Sequence, residues 1–154
     1  AAKRGARVIA LSSGEKASAV LEAGANVVVD RNQGGIGDQL AELVPTGLDA
    51  VADVVGGGLV ATVMPHVRAG GRWVIAGAVA GPVIELDLRR LYPRSISLLG
   101  STMHTPDQFK VLVAAANAGD IMPVVARTFG LEAVRAAHEE FERRKHVGKL
   151  LLLP

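Results

Sequence analysis

Leu48-Asp49-Ala50-Val51-Ala52-Asp53-Val54-Val55 runs directly into Gly56-Gly57-Gly58. The first eight residues are apolar and β-branched enough to form a buried strand of a parallel sheet. The three glycines make a tight turn, and the helix predicted after it carries Leu59, Val63 and Val67 on one face. Ala69-Gly70-Gly71 then turns the chain into a second strand, residues 72–77 (RWVIAG). Strand, glycine turn, helix and strand in this order are the unit from which α/β sheets are built.

The same alternation continues upstream. Residues 7–11 (RVIAL) read as a buried strand, and Ser13 is placed to cap a helix with Ala17, Val20 and Leu21 on one face and Gly24 as its stop. Residues 26–30 (NVVVD) are a strand, followed by a helix with Ile36, Leu40, Leu43 and Val44 that ends before Pro45. Downstream, Val83-Ile84-Glu85-Leu86-Asp87-Leu88 alternates, and two acids on one face predict an edge or interface strand. Residues 95–100 (SISLLG) predict another buried strand. Thr105-Pro106-Asp107 opens a helix with Phe109, Leu112, Val113 and Ala116 on one face and Gly119 as its end. A helix over residues 131–144 is expected to bury Leu131, Val134, Ala137 and Phe141, and residues 150–153 form a closing strand. The predicted class is α/β, a doubly wound, Rossmann-like parallel sheet.

Composition narrows the function. Of 154 residues 49% are hydrophobic and 3% aromatic, so Val, Leu, Ile and Ala fill the core. A net charge of +2, spread along the chain without aromatic platforms, argues against nucleic acid as a partner. No apolar run reaches membrane-spanning length, so no membrane partner is expected. The chain has no cysteine, which excludes disulfides and thiolate metal sites within it and fits a reducing, cytoplasmic compartment. Ala1-Ala2-Lys3-Arg4-Gly5 reads as the last turn of a helix, which implies chain upstream of it.

Several stretches resemble the medium-chain dehydrogenase/reductases, the family of zinc-type alcohol dehydrogenases and NADPH quinone oxidoreductases. They are residues 1–30, LDAVADVVGG at 48–57, VRAGGRWVIAGAV at 67–79, LYPRSISLLGSTM at 91–103 and HVGKLLLLP at 146–154. The resemblance implies an incomplete Rossmann domain over residues 1–102, lacking its first strand and glycine-rich turn. It implies a segment over 103–154 that packs on a catalytic domain outside this chain. Without the first strand, a slot is expected between the strands RVIAL and LDAVADVV. The resemblance also implies an oxidoreductase that takes a nicotinamide dinucleotide and a small-molecule substrate, and a homodimer joined through the Val83 to Leu88 edge.

The tip of the first strand bears on cofactor type. NAD-using relatives carry an acid there for the ribose 2′-hydroxyl, whereas this chain has Ser12-Ser13-Gly14-Glu15-Lys16. Two hydroxyls and the Lys16 charge suit a 2′-phosphate, so NADP(H) is favoured over NAD(H), with Glu15 as the dissenting acid. Arg31 stands where quinone-reductase-like relatives often carry a Tyr beside the same phosphate. By resemblance Gly77, Ala78, Ser101 and Met103 flank the nicotinamide and Lys149 reaches the pyrophosphate. Gly56 and its neighbours read as a turn near the adenosine, where a Cβ would obstruct the cofactor. The four histidines make no metal-binding pattern, so zinc is not expected to be bound by this chain, and no catalytic residue is assigned, although His104 follows a strand tip. Alternatives are a zinc-dependent alcohol dehydrogenase, part of an S-adenosylmethionine-dependent methyltransferase, and an inactive nucleotide-binding or interaction fragment.

Overall fold

A computed structural model describes residues 1–154. Seven strands and five α-helices alternate: β1 (Ile9–Ser12), α1 (Ala17–Glu22), β2 (Val27–Asp30), α2 (Ile36–Leu43), β3 (Leu48–Asp53), α3 (Leu59–Val63), β4 (Val67–Ile75), β5 (Ser97–Gly100), α4 (Pro106–Asn117), β6 (Val125–Gly130), α5 (Val134–Arg143) and β7 (Lys149–Leu153). β1 pairs with β2, β3-β4-β5 form a three-stranded sheet, and β6 pairs with β7. β3-β4, β4-β5 and β6-β7 are all parallel, as the α/β pattern of the sequence required. No ladder joins β1 to β3.

Contacts divide the chain into two units. A central unit holds residues 11–14 and 29–103, and a terminal unit holds residues 1–10, 15–28 and 104–154. In the central unit, Ile36 and Leu40 lie one turn apart on α2 and are both buried, and Pro45 follows where the helix has stopped. Val60, Val63, Met64, Val67 and Trp73 complete the core beside Val29 and Ile96. Trp73 lies on the middle strand, opposite Val51 on one side and Leu98 on the other.

The stretch Ala69-Gly70-Gly71 is part of β4 and not a turn before it. Register jumps there, from Leu48↔Val67 to Ala50↔Arg72, so the extra residues bulge out of the ladder. Gly70 takes φ +71°, and a Cβ on Gly71 would lie 2.5 Å from Val67 Cγ1. Two glycines are what the bulge needs.

The terminal unit opens with a short 3-10 turn, Ala2–Arg4, closed by Gly5 at φ 80°. α4 begins with a reciprocal capping box: Gln108 N–H donates to Thr105 Oγ1 and Thr105 N–H donates to Gln108 Oε1. α5 ends at Arg144 in the left-handed region, φ 53°. β6 had no counterpart in the sequence reading. Its sequence (VARTFG) shows no clean apolar alternation, since Arg127 stands between Val125 and Phe129 on the same face, and Phe129 is its buried residue.

Three expectations are corrected. Residues 83–88 form no strand: they have no ladder partner, and Asp87 instead accepts from Arg89 N–H at 3.0 Å to open the 3-10 turn Leu88–Arg90. A local carboxylate bond offered the backbone an alternative to pairing. β5 is not buried. It is an outer strand, and all four of its residues are exposed. The helix over residues 131–144 buries Ala137, but Leu131, Val134 and Phe141 are 55%, 40% and 62% exposed, because no element of the terminal unit covers that face.

Candidate functional site

Open parallel sheets bind ligands beyond the carboxyl ends of their strands, where loops diverge and backbone groups are free. In the central unit those ends are Asp53, Ile75 and Gly100, which the register aligns through Asp53↔Ile75 and Ile75↔Gly100. Of the ten residues singled out in the sequence, eight lie in the central unit: Ser12, Ser13, Arg31, Gly56, Gly77, Ala78, Ser101 and Met103. Lys16 and Lys149 belong to the terminal unit.

Ser12 and Arg31 come together at the tips of β1 and β2, where Arg31 N–H donates to the Ser12 carbonyl at 2.9 Å. The Ser12 and Ser13 hydroxyls and the Arg31 guanidinium have no partner within the chain. Ser13 therefore makes no helix cap: α1 starts after a 3-10 turn, Gly14–Lys16, without a side-chain cap. Gly14 has a close neighbour at this tip. A Cβ at that position would lie 2.6 Å from Asp30 Oδ2, so the Asp30 carboxylate stands against the tip. Its other oxygen accepts from Asn32 N–H at 2.9 Å. Sequence reasoning passed over Asp30, which is distant along the chain from the serine tip and adjacent to it in space.

Lys16 is already engaged. Its ammonium donates to the carbonyls of Arg144 (2.8 Å) and His146 (3.1 Å), where α5 ends and leaves carbonyls unpaired. Lys149 opens β7, its N–H bound to the Val124 carbonyl and its ammonium unpaired.

The glycine run after β3 packs against protein. Gly56 and Gly57 take φ +65° and +64°. A Cβ on Gly56 would meet the Gly81 carbonyl at 3.1 Å, and one on Gly57 would meet Ala80 Cβ at 3.0 Å. Gly77 answers from the other side, where a Cβ would lie 2.8 Å from the Val54 carbonyl oxygen. These glycines are small enough for the loops after β3 and β4 to interlock. Ser101 N–H donates to the Ile75 carbonyl at 2.8 Å, which fixes the start of the loop that leads to exposed Met103. His104 stacks on Phe109, ring centroids 5.0 Å apart. No three His, Asp or Glu side chains gather as metal ligands would, and no helix is long and apolar enough to cross a membrane.

A sequence profile described as zinc-binding dehydrogenase matches residues 1–118. The chain belongs to that family. Among its relatives is the quinone oxidoreductase-like protein 2 of Bos taurus, 27% identical over 158 residues, with 96% of this chain and 45% of the relative covered. A protein of Sinorhizobium meliloti 1021 assigned as an alcohol dehydrogenase has a similar structure, with TM-score 0.90 and 36% identity over 97% of this chain and 42% of that one. A mycobacterial protein, Rv1454c, solved in complex with NADPH, gives TM-score 0.77 and 31% identity over 96% of this chain and 49% of its own. The chain thus spans less than half the length of these relatives. The family is one of oxidoreductases, and its members share this Rossmann-like α/β fold.

Proposed function

We propose that this chain is the cofactor-binding part of an NADPH-dependent oxidoreductase that passes a hydride to a carbonyl, a quinone or an activated alkene. The observation that carries the reading is the tip of β1, where two unpartnered hydroxyls stand beside the Arg31 backbone and that strand's own end supplies no acid. Ser12 and Ser13 would donate to a 2′-phosphate and Arg31 would neutralise it. Gly77 and Ala78, with Ser101 and Met103, would flank the nicotinamide through backbone groups, the turn at Gly56 would lie near the adenosine, and Lys149 would reach the pyrophosphate. Lys16 joins the phosphate only by giving up the Arg144 and His146 carbonyls. The bound nicotinamide supplies the hydride, and the chain's own part is to hold and orient it.

On the same reading residues 103–154 pack on a catalytic domain elsewhere in the protein, and residues 83–88 become an edge strand only when a second copy provides the ladder. The quinone-like relative and the NADPH-bound one support the choice; the alcohol dehydrogenase relative supports the alternative substrate class.

A second reading, NAD, has its own observation in the Asp30 carboxylate against Gly14. An acid at that tip would accept from ribose hydroxyls and repel a phosphate. Calorimetry on the full-length protein separates the two. NADPH should bind at least about tenfold tighter than NADH, and Arg31→Ala should remove about tenfold of NADPH affinity while leaving NADH unchanged. Tighter NADH binding overturns the NADPH assignment, and stoichiometric zinc in the purified protein turns the reading to a zinc alcohol dehydrogenase.

A further inference from the structure

At the carboxyl end of the central sheet one half-buried carboxylate gathers three donors. Asp53 Oδ1 accepts from the N–H groups of Val55 (2.8 Å) and Gly56 (2.9 Å), and Oδ2 accepts from Trp73 Nε1 at 3.2 Å. Around it the two loops lock. The Asp53 carbonyl takes Ala76 N–H at 2.7 Å, the Val55 carbonyl takes Ala80 N–H at 2.8 Å, and Gly77 closes on Val54. Trp73 is 2% exposed and sits mid-sheet, so its indole links this assembly to the core.

We propose that Asp53 is a positioning residue for the dinucleotide. It fixes residues 54–58 and 76–81 as one rigid edge whose backbone groups meet the dinucleotide. The proposal rests on the dinucleotide reading above. All three N–H groups around it need an acceptor, and both carboxylate oxygens take part in satisfying them. That donor set also explains why the residue must be a carboxylate. An amide has one accepting oxygen and one NH2. Whichever way Asn is turned, either Trp73 or the Val55 and Gly56 pair meets a donor with a donor. The amide becomes tolerable only if the indole N–H is removed as well.

The test follows from that asymmetry, in the full-length protein, with Asp53→Asn, Trp73→Phe and the double variant. Asp53→Asn should raise KM for the dinucleotide about tenfold, the cost of one buried donor left without an acceptor, with KM for the second substrate unchanged. Trp73→Phe should raise it about threefold, and the double variant should return to the Trp73→Phe level, because Asn then faces only acceptor-seeking backbone N–H groups. Trp73 is the chain's single tryptophan, so 5-fluorotryptophan labelling, with its resonance assigned by Trp73→Phe, should show a 19F shift when dinucleotide binds the wild type. If Asp53→Asn does not fold, the Trp73→Phe KM and the 19F shift decide. A dinucleotide KM that stays at the wild-type value in the folded variants, or a 19F signal unmoved by bound dinucleotide, overturns the positioning role alone. Wild-type protein that binds neither dinucleotide overturns the functional reading and this proposal with it.

Discussion

The central unit buries Leu40, Met64, Val67 and Val29 almost completely, while the terminal unit leaves Phe109, Leu131 and Phe141 between 49% and 62% exposed. Only Phe129 and Ala137 represent the terminal unit among the buried apolar residues. Their sequences do not forecast this contrast. α2 and α5 are both amphipathic, and both carry apolar residues one turn apart. α2 packs on α3 and the 3-10 turn Met64–His66, and α5 on β6, β7 and the 3-10 turn before it, yet α5 leaves Val134 and Phe141 exposed where α2 buries Ile36 and Leu40. A hydrophobic stripe states which face needs cover, and not whether the cover lies in the same chain.

The sharpest way to break the comparison is a pair of truncations. Leu40→Ala should cost about 3 kcal/mol in urea unfolding of the chain, because a fully buried side chain leaves a cavity that its neighbours fill only in part. Phe141→Ala should cost about 0.5 kcal/mol or less in the same chain, since its ring is mostly solvated already. Equal costs would mean that the terminal unit has a core of its own. In full-length protein a cost above about 2 kcal/mol for Phe141→Ala would show that the face is covered there. Phe141 also lines a cavity of roughly 230 Å³ with Ala137, His138, Leu150 and Leu152, so that cover has an apolar hollow to fill.

A smaller contrast is held by two glycines. Gly77→Ala pushes a methyl to within 2.8 Å of the Val54 carbonyl, and the loop after β4 must separate from the loop after β3. Overpacking against backbone should cost about 2 kcal/mol, with dinucleotide affinity falling in step. Gly119→Ala in the terminal unit meets no atom within 4 Å but keeps φ +75°, so about 1 kcal/mol of backbone strain is the whole expected effect, with affinity untouched. Chemical denaturation and dinucleotide titration of both variants would expose a wrong assignment of either glycine.

What the sequence made legible follows from how local each signal is. The glycine turn after β3, the stop of α2 at Pro45 and the start of α4 at Thr105-Pro106-Asp107 each depend on residues within a turn of one another and formed as read, whereas Val67, expected on the helix after β3, opens β4. The bulge in β4 depends on pairing with Leu48 and Ala50, so its glycines looked like an ordinary turn. Burial at β5 and α5 depends on neighbours that a periodicity cannot name. At the candidate site, the strand-tip positions followed from the α/β order, and Ser12 and Arg31 did come together. Asp53 was missed and Asp30 set aside because their neighbours, Trp73 and Gly14, lie far away in sequence, and an acid in a strand carries no sign of what it will stand against. Lys16 shows the converse: next to the tip in sequence, it spends its charge on the end of α5.

The smallest effect expected lies in the segment that failed to become a strand. The Arg89 side chain, and then its backbone N–H, donate to Asp87 and hold that carboxyl below its ordinary value of 3.8. A folded-state pKa lowered in this way favours the folded chain above the unfolded value, and the contribution disappears as pH falls below 3.8 and through the folded pKa. Because both groups are exposed, salt screens the pair and stability near neutral pH should not change on Arg89→Ala. The Asp87 carboxyl, followed by NMR titration, should move up in that variant but stop short of 3.8, since the backbone N–H of residue 89 remains. A full return to 3.8 would show that the 3-10 turn had opened with the loss of the side chain. Residues 83–88 would then be free to pair as a strand, and the contrast between a self-sufficient central unit and one that waits for a partner edge would have to be redrawn within the central unit itself.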